Sequence, residues 1–406
     1  MIIFIYIAAL CLSLFAIVYG LYFFSITRTS KINEYFEFRK DCLAKKLNND
    51  ELPIVSILVP SYNEEDVISN KLQNIAAFDY PHEKIEVIIV DDGSTDNTVE
   101  LAERKLKELN LIGRVSRSNR RLGVNGSYNR SMKETVGELV LMTDADVMIE
   151  PDALMSGVKI LNSSQSIGGV TGGMTTVSRS DTSAVKIENS YRNFFDRMLL
   201  TESAIDSTFP GYTCLALVRK SALVPLNENY GSSDGNLSLS IIAQGLRFIF
   251  VPELVFHEKI AASLKEQIRQ KVRRGTRLLQ STIVYRKNLF RNRNRQFVSR
   301  IFPLRFLMML LCPILFWIGL ANLFIGVLTF SPTSGGILLG LLIVLVFVGT
   351  RISFKLLNLF SSFFFHQFYL LVALIRSPKK AKTWKTIERN TEVLTKIAYE
   401  SQPVVH

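Results

Sequence analysis

Cysteine is scarce in this sequence of 406 residues, and two common nucleotide-binding motifs are absent from it. The four cysteines, Cys11, Cys42, Cys214 and Cys312, are scattered and have neither disulfide nor zinc-site spacing. No Gly-x-x-x-x-Gly-Lys-Ser/Thr and no Gly-x-Gly-x-x-Gly follows a predicted strand. These absences disfavour a P-loop ATPase and a dinucleotide-dependent oxidoreductase.

Charge is missing from residues 1–24. About 20 apolar residues cross a bilayer, so this segment is predicted to span the cell membrane. A cleaved signal peptide is the alternative, but a basic leader and a small-residue cleavage site are both missing. Because Arg28 and Lys31 follow the segment, the positive-inside rule places the next part of the chain in the cytoplasm and the N-terminus outside.

The last third of the chain is also apolar. Residues 306–330 and 335–349 are predicted to form a transmembrane hairpin. Residues 356–375 could span again, but both of their flanks are basic. We therefore interpret this segment as an interfacial or re-entrant helix and prefer three spans to four.

Acidic residues are nearly absent between Lys265 and Arg305, where 13 basic residues accompany only Glu266. This segment holds much of the excess behind the net charge of +12. Such a cluster directly before a predicted span favours contact with anionic lipid and argues against a nucleic-acid partner.

Strand-like and helix-like patterns alternate after residue 53. Predicted strands cover residues 54–60, 85–90, 114–118 and 139–143, with helical spacing of apolar residues between them. This order predicts an α/β fold with a mostly parallel sheet covered on both faces. Ligands in such sheets bind beyond the carboxyl ends of the strands.

Two carboxylates, Asp144 and Asp146, end the last of these strands. Residues i and i+2 of an extended segment point the same way, so we expect extended backbone if both carboxylates bind one cation. A turn would separate them, and a turn leading into a helix is the structural alternative. Hard oxygen donors suit Mn²⁺ or Mg²⁺, completed by water and phosphate oxygens.

Three motifs in order carry a family resemblance: Val-Pro-Ser-Tyr-Asn-Glu-Glu, Ile-Val-Asp-Asp-Gly-Ser-Thr-Asp-Asn-Thr and Thr-Asp-Ala-Asp. Together they resemble the donor-binding half of glycosyltransferase family 2, in its membrane-integrated branch, over residues 53–290. The resemblance implies a GT-A fold, an inverting mechanism and a nucleotide-sugar donor carrying UDP or GDP. It also implies roles for residues in these motifs: Pro60, Tyr62, Glu64 and Asp92 at the base and ribose, and Asp144 and Asp146 at the metal and diphosphate.

Downstream motifs depart from the family pattern. Asp234 stands at the second acid of the family's Glu-Asp pair, whose first position is Ser233 here, and by resemblance it removes the acceptor proton. A helix N-cap is its structural alternative. Gln270 and Arg273 match the Gln-x-x-Arg-Trp motif and are expected at the donor, whereas Arg274 replaces the sugar-stacking Trp. Arginine binds phosphate well, so Arg274 is expected to contact the acceptor, although membership of the basic segment would also explain it.

Two further sites rest on position alone. Gly211 and Tyr212 resemble the loop that shapes the acceptor pocket, with a simple turn as the alternative. His257 follows a predicted strand where related proteins carry a histidine near the diphosphate, and it is a candidate metal ligand, although a lone histidine is more often structural.

These features predict five segments: a membrane helix (1–26), a connector (27–52), a cytoplasmic GT-A domain (53–290), a membrane hairpin with an interfacial helix (301–376) and a basic tail (377–406). The expected function is transfer of one sugar to a membrane-delivered acceptor, either a polyprenyl phosphate or a lipid-linked saccharide. A processive polysaccharide synthase and an inactive membrane scaffold are the alternatives. The sequence leaves open whether copies of the chain form an oligomer.

Overall fold

The computed structural model describes residues 2–28, 31–177, 183–210, 214–259, 264–291, 295–348 and 355–379. A mixed sheet of eight strands lies at the centre of this part of the chain. Its strands are β1 (Val55–Ser61), β2 (Ile85–Asp91), β3 (Gly113–Arg117), β4 (Leu139–Thr143), β5 (Met148–Ile149), β6 (Ile167–Val177), β7 (Leu215–Arg219) and β8 (Arg247–Lys259).

The sheet has the order β3-β2-β1-β4-β7-β6-β8-β5. The first four strands are parallel, as the alternating pattern predicts, while β7 lies antiparallel between β4 and β6. The central strands β1, β2 and β4 are buried along their whole length, which explains their continuous apolar sequence. The predicted α/β fold is thereby confirmed.

Helices cover both faces of the sheet and extend beyond it. They are α1 (Ile2–Thr27), α2 (Lys31–Ala44), α3 (Ile68–Ala76), α4 (Thr98–Glu108), α5 (Val124–Ser131), α6 (Ala153–Ser163), α7 (Ser183–Ile205), α8 (Ser233–Ala243), α9 (Leu264–Arg291), α10 (Phe302–Leu310), α11 (Cys312–Phe330), α12 (Pro332–Val348) and α13 (Lys355–Arg376). Helix α3 belongs to the core on one face of the sheet, and α8 and the later part of α9 belong to the core on the other face.

Two described helices, α1 and α11, are long and apolar enough to cross a membrane. They pack against each other through glycines of α11. A Cβ atom added at Gly319 would lie 2.8 Å from Leu12 Cγ, and one at Gly326 would lie 2.5 Å from Ile5 Cδ1. These positions therefore permit close helix contact, as small residues do between membrane helices.

The predicted hairpin differs in detail from the structure. Residues 306–330 do not form one helix, because the helix is interrupted at Leu311, between α10 and α11 and just before Pro313. Helices α12 and α13 each contain a shorter apolar stretch, so the expected count of three spans remains a prediction.

A buried ionic cluster joins α1 to the rest of the protein. Glu202 on α7 accepts hydrogen bonds from Tyr22 Oη at 2.6 Å and from Arg305 Nε at 2.7 Å. The guanidinium of Arg305 also lies 4.9 Å from the centre of the Tyr22 ring. Helix α7 is therefore fixed to α1 and α10 by paired charge and hydrogen bonds.

Candidate active site

The carboxyl ends of β1, β2 and β4 form one polar edge, hereafter the rim. Pro60 is buried inside β1 opposite Val90, and Tyr62 and Glu64 follow in the next loop. The loops after β1 and β2 are tied together: the Glu64 amide donates to Thr98 Oγ1 at 2.8 Å, and Asn63 accepts from the Thr95 amide at 2.9 Å. The rim is therefore held in place by hydrogen bonds between its own loops.

Asp92 organises the part of the rim between β2 and α5. The residue is 5% exposed, and its carboxylate accepts hydrogen bonds from the Leu122 amide at 2.6 Å, the Gly123 amide at 3.0 Å and Ser127 Oγ at 2.9 Å. It thereby fixes the start of α5 against the end of β2. Contact of Asp92 with a ribose remains a proposal.

Arg121 covers one face of Tyr62. Its guanidinium lies 3.5 Å from the centre of the ring, and its Nε lies 3.9 Å from Asp92 Oδ2. An arginine stacked in this way is attracted to the ring face. Tyr62 is nevertheless partly exposed.

The segment after β4 is a turn, which contradicts the expectation of extended backbone from Asp144 to Asp146. Residues 145 and 146 lie in the turn, and the Val147 amide donates to the Asp144 carbonyl at 3.3 Å. The sheet interactions of β4 stop at Thr143, so the backbone is free to curve there. The two carboxylates therefore leave the turn in directions that strand alternation does not set.

A buried lysine lies behind this turn. Lys71 Nζ donates to Thr143 Oγ1 at 3.0 Å and to the Val147 carbonyl at 2.6 Å. Burial lowers the pKa of Lys71 to about 7, and the charges of Asp144 and Asp146 act in the opposite direction. Both carboxylates therefore lie within electrostatic range of the same buried amine.

Lys71 is missing from the residues that the sequence analysis singles out. It occupies the apolar stripe of α3, between Ile68 and Leu72, where a charged residue is unusual. This misplaced charge is the signal that identifies it.

His257 lies on β8 directly opposite Met148 of β5. Its Nε2 contacts the Glu150 carboxylate, and its Nδ1 is buried without a hydrogen-bond partner in the described part of the chain. Within that part no three side chains of His, Cys, Asp or Glu converge as a metal cluster. A third protein ligand beside Asp144 and Asp146 thus remains a prediction, but their hard oxygens still suit Mn²⁺ or Mg²⁺.

Asp234 does not cap helix α8, so the structural alternative for this residue is wrong. The N-cap is Ser232, whose Oγ accepts from the Gly235 amide at 3.3 Å. Asp234 instead lies in the first turn, and its Oδ1 is buried with no hydrogen-bond partner among the described residues. Burial raises the pKa of Asp234.

A small recess connects Asp234 to the end of β4. Its lining residues are Tyr128, Met142, Cys214, Leu215, Ala216, Ser233, Asp234 and Leu237. Met142 is the penultimate residue of β4, and the Cys214 carbonyl accepts from the Asp144 amide at 3.4 Å. The buried carboxylate therefore faces the strand end that carries the other two acids.

Helix α9 brings arginines to the same region, and Gln270 lies half-buried on it. Arg274 pairs with Glu258, whose charge raises its pKa further. Burial lowers the pKa of Arg273 to about 10, and the charges of Arg274 and Arg277 add to this effect while Asp144 opposes it.

Arg277 is a candidate that the sequence analysis did not separate from the basic segment. Burial lowers its pKa, and the charge of Asp234 acts against that shift, so the two groups are close. Gly211 and Tyr212 lie outside the described residues.

Part of the chain is similar to proteins of a known family. Residues 56–224 match the family model described as glycosyl transferase family 2. A poly-β-1,6-N-acetyl-D-glucosamine synthase from Staphylococcus aureus is 36% identical over 143 residues, which are 34% of this chain and 34% of that protein. A β-monoglucosyldiacylglycerol synthase from a Nostoc species is 31% identical over 159 residues, 39% of this chain and 31% of that protein. The matches thus span about a third of the length of these curated relatives.

The fold itself is similar to a solved structure over almost its full length. A mannosyltransferase from Pyrobaculum calidifontis, in complex with GDP-Man and Mn²⁺, aligns with a TM-score of 0.68 and 23% identity. The alignment covers 92% of this chain and 99% of that one. The apolar helices as well as the sheet therefore belong to the shared fold.

Proposed function

We propose that this protein transfers one sugar from a nucleotide-sugar donor to a membrane-delivered acceptor, because residues 56–224 match the glycosyl transferase family 2 model and the fold is similar to that of a solved mannosyltransferase. The observation that carries the proposal is the recess between Asp234 and the end of β4. The recess places a carboxylate beside the strand end that bears Asp144 and Asp146, and one oxygen of this carboxylate is buried without a hydrogen-bond partner among the described residues.

In this proposal the donor diphosphate lies at the turn after β4. Asp144 and Asp146 would hold Mn²⁺ or Mg²⁺ there. The Pyrobaculum mannosyltransferase of similar fold was solved in complex with GDP-Man and Mn²⁺, which supports this choice of metal. A bound cation would neutralise charge on the departing nucleoside diphosphate. The base and ribose of the donor are expected to contact Pro60, Tyr62, Glu64 and Asp92. The diphosphate is expected to contact Gln270 and Arg273. His257 is the candidate third protein ligand.

Asp234 acts as the general base. It takes the proton of the acceptor hydroxyl as that oxygen bonds to the anomeric carbon and the bond from that carbon to the diphosphate breaks. Attack from the face opposite the diphosphate inverts the anomeric configuration. A buried carboxylate with a raised pKa is a stronger base than an exposed one, which supports this role.

The acceptor is expected to carry both a hydroxyl and a negative charge. A lipid-linked saccharide with a phosphate link supplies both. A polyprenyl phosphate would instead attack through an anionic phosphate oxygen, which needs no general base, so transfer to it should depend little on Asp234. Arg274, with Gly211 and Tyr212, is proposed on the acceptor side. The two spanning helices support delivery from a cell membrane, with the catalytic domain on the cytoplasmic side.

The test is a screen of UDP- and GDP-sugars for hydrolysis and transfer by the purified protein with Mn²⁺ or Mg²⁺. Excess chelator should reduce turnover to background, and Asp146→Ala should do the same, because the diphosphate then loses its cation. Full activity in chelator would remove the metal assignment. No hydrolysis of any donor would support the scaffold alternative.

The length of the product distinguishes the proposed single transfer from processive synthesis. The Staphylococcus relative is named as a polymer synthase, so a processive reaction is the second candidate. Arg274 stands where the polymer-associated Trp would be, which favours single transfer. Products with one added sugar support the proposal, whereas a ladder supports the synthase.

A further inference from the structure

Lys71 and Asn74 of α3 contact both ends of the turn that carries Asp144 and Asp146. Lys71 Nζ bonds to Thr143 Oγ1 at 3.0 Å and to the Val147 carbonyl at 2.6 Å, so its contacts bracket the turn. Asn74 exchanges two hydrogen bonds with the backbone of Ile149, at 2.8 and 2.9 Å.

The turn needs such support because the sheet does not hold it. Sheet pairing of β4 ends at Thr143 and resumes at Met148 in β5. The backbone hydrogen bonds of the turn are long, 3.4 Å from the Asp144 amide and 3.3 Å from the Val147 amide. The contacts from Lys71 are shorter, and the amine that makes them is fully buried.

Burial of an ammonium group is costly, so a lysine in the apolar stripe of α3 requires a compensating role. Its two acceptors are a hydroxyl and a carbonyl. These acceptors orient the amine toward the backbone that positions Asp144 and Asp146.

We propose that Lys71, supported by Asn74, is a positioning residue that holds the turn in the shape with which Asp144 and Asp146 receive a divalent cation and a diphosphate. This inference rests on the proposed function. It assigns no catalytic contact to Lys71, which acts through Thr143 and Val147.

If Lys71 is removed, its hydrogen bonds and its charge predict opposite changes in the affinity for Mn²⁺. A positive charge near two carboxylates repels a cation, so a purely electrostatic lysine would bind Mn²⁺ more tightly once removed. Loss of a positioning contact should instead weaken Mn²⁺ binding by about 10- to 100-fold, the usual scale for residues that orient metal ligands. Lys71→Met, which keeps the length of the chain, separates the two.

The experiment titrates Mn²⁺ into the full-length protein with UDP and, separately, with GDP, and follows free Mn²⁺ by electron paramagnetic resonance. Lys71→Met should weaken binding, and Lys71→Gln, which retains a neutral donor, should lie between Met and the wild type. Lys159→Met is the matched control, because Lys159 Nζ also donates to a carbonyl, that of Leu43, at 2.8 Å but far from the turn. Its Mn²⁺ binding should equal that of the wild type.

Thr143→Val is the second variant in case Lys71→Met does not fold, because it removes only the hydroxyl acceptor and keeps the side-chain shape. If Lys71→Met folds, weaker Mn²⁺ binding supports the inference and unchanged or tighter binding overturns it. If Lys71→Met does not fold, the same two outcomes are read from Thr143→Val. Wild-type protein that binds no Mn²⁺ with either nucleotide overturns the metal assignment of the proposed function, and the inference falls with it.

Discussion

Asp92 at the end of β2 and Asp234 at the start of α8 are both acids of the candidate site, yet they differ in exposure and in hydrogen bonding. Asp92 is buried, whereas Asp234 is partly exposed and buries its Oδ1. Asp92 accepts three hydrogen bonds, from two backbone amides and a hydroxyl, and fixes the entry to α5. Asp234 keeps Oδ1 buried without a partner in the described part of the chain, because Ser232 caps the helix instead.

The difference separates a carboxylate that maintains structure from one that is available for chemistry. Hydrogen bonds to a charged group contribute about 1.5–3 kcal/mol each, and an unpartnered buried oxygen costs a similar amount. Asp92 is therefore expected to stabilise its region. Asp234 is expected to contribute less, because its hydrogen bonds with Ser232 and the Gly235 amide only partly offset the burial that raises its pKa.

The largest effect is expected for Asp234→Asn. Loss of the general base should lower turnover by about 10²–10⁴-fold, measured as transfer to a hydroxyl acceptor at saturating donor. Nucleotide affinity by calorimetry should remain unchanged, because Asp234 faces the acceptor recess. Asp152→Asn, which changes an exposed acid before α6, is the matched control and should be fully active.

Two further measurements test this prediction: the donor binding and stability of the variant, and the pH dependence of the wild type. Loss of donor binding in Asp234→Asn, or a lower melting temperature, would show that the carboxylate is structural after all. The base works only when ionised, and burial raises its pKa, so wild-type transfer should fall as pH drops through that raised value. The acid limb should therefore lie above that of an exposed carboxylate.

Asp92→Asn should give the opposite result, with a smaller effect on chemistry than on folding. One charged acceptor is lost, and an amide group is placed against the amides of Leu122 and Gly123. We expect a loss of about 2–3 kcal/mol in the free energy of unfolding, on the scale of charged hydrogen bonds, seen as a lower melting temperature without ligand. A variant as stable as the wild type would show that Asp92 does not anchor this loop.

Much of the donor half was predictable from the sequence. The predicted strands at 54–60, 85–90 and 139–143 agree with β1, β2 and β4 to within one residue at each end. These strands are buried on both faces, so their apolar sequence and their secondary structure are set by the same constraint.

Strand β6 was missed because glycine disfavours strands. It contains Gly169 and Gly172, whose missing side chains allow β6 to lie close to β8. A Cβ atom at Gly169 would lie 2.8 Å from Phe248 Cδ2, and one at Gly172 would lie 1.8 Å from the Leu254 carbonyl oxygen. Only tertiary packing explains these glycines.

The sequence analysis predicted the acidic residues of the site but not the residues that contact them. The positions of Asp144 and Asp146 follow from the end of a strand, whereas the turn between them depends on where sheet pairing stops. The contacts of Lys71 with Thr143 and Val147 span more than 70 positions of sequence. The partner of Arg274, Glu258, likewise comes from a different element. Long-range contacts of this kind leave no local pattern.

The smallest effect is expected for Arg274. Because Arg274 also pairs with Glu258, the experiment has to distinguish the loss of that ion pair from the loss of a contact with the acceptor. Arg274→Trp alone leaves Glu258 buried and unpaired, which typically costs about 3–5 kcal/mol. The informative comparison is therefore the double variant Arg274→Trp/Glu258→Gln against Glu258→Gln alone. If Arg274 binds an acceptor phosphate, the double variant should raise the apparent KM for a phosphate-bearing lipid by about 10- to 100-fold, from a contact of about 1.5–3 kcal/mol.

Donor hydrolysis should be equal in the two variants, since Arg274 is assigned to the acceptor. An unchanged acceptor KM would mean that Arg274 serves only to neutralise Glu258, and Arg277 beside Asp234 would become the candidate for the acceptor charge. A ladder of long products from the double variant would show that an aromatic residue at this position is sufficient for polymer extension. Asp234 and Arg274 would then differ in kind: one performs the chemistry, and the other determines which acceptor reaches it.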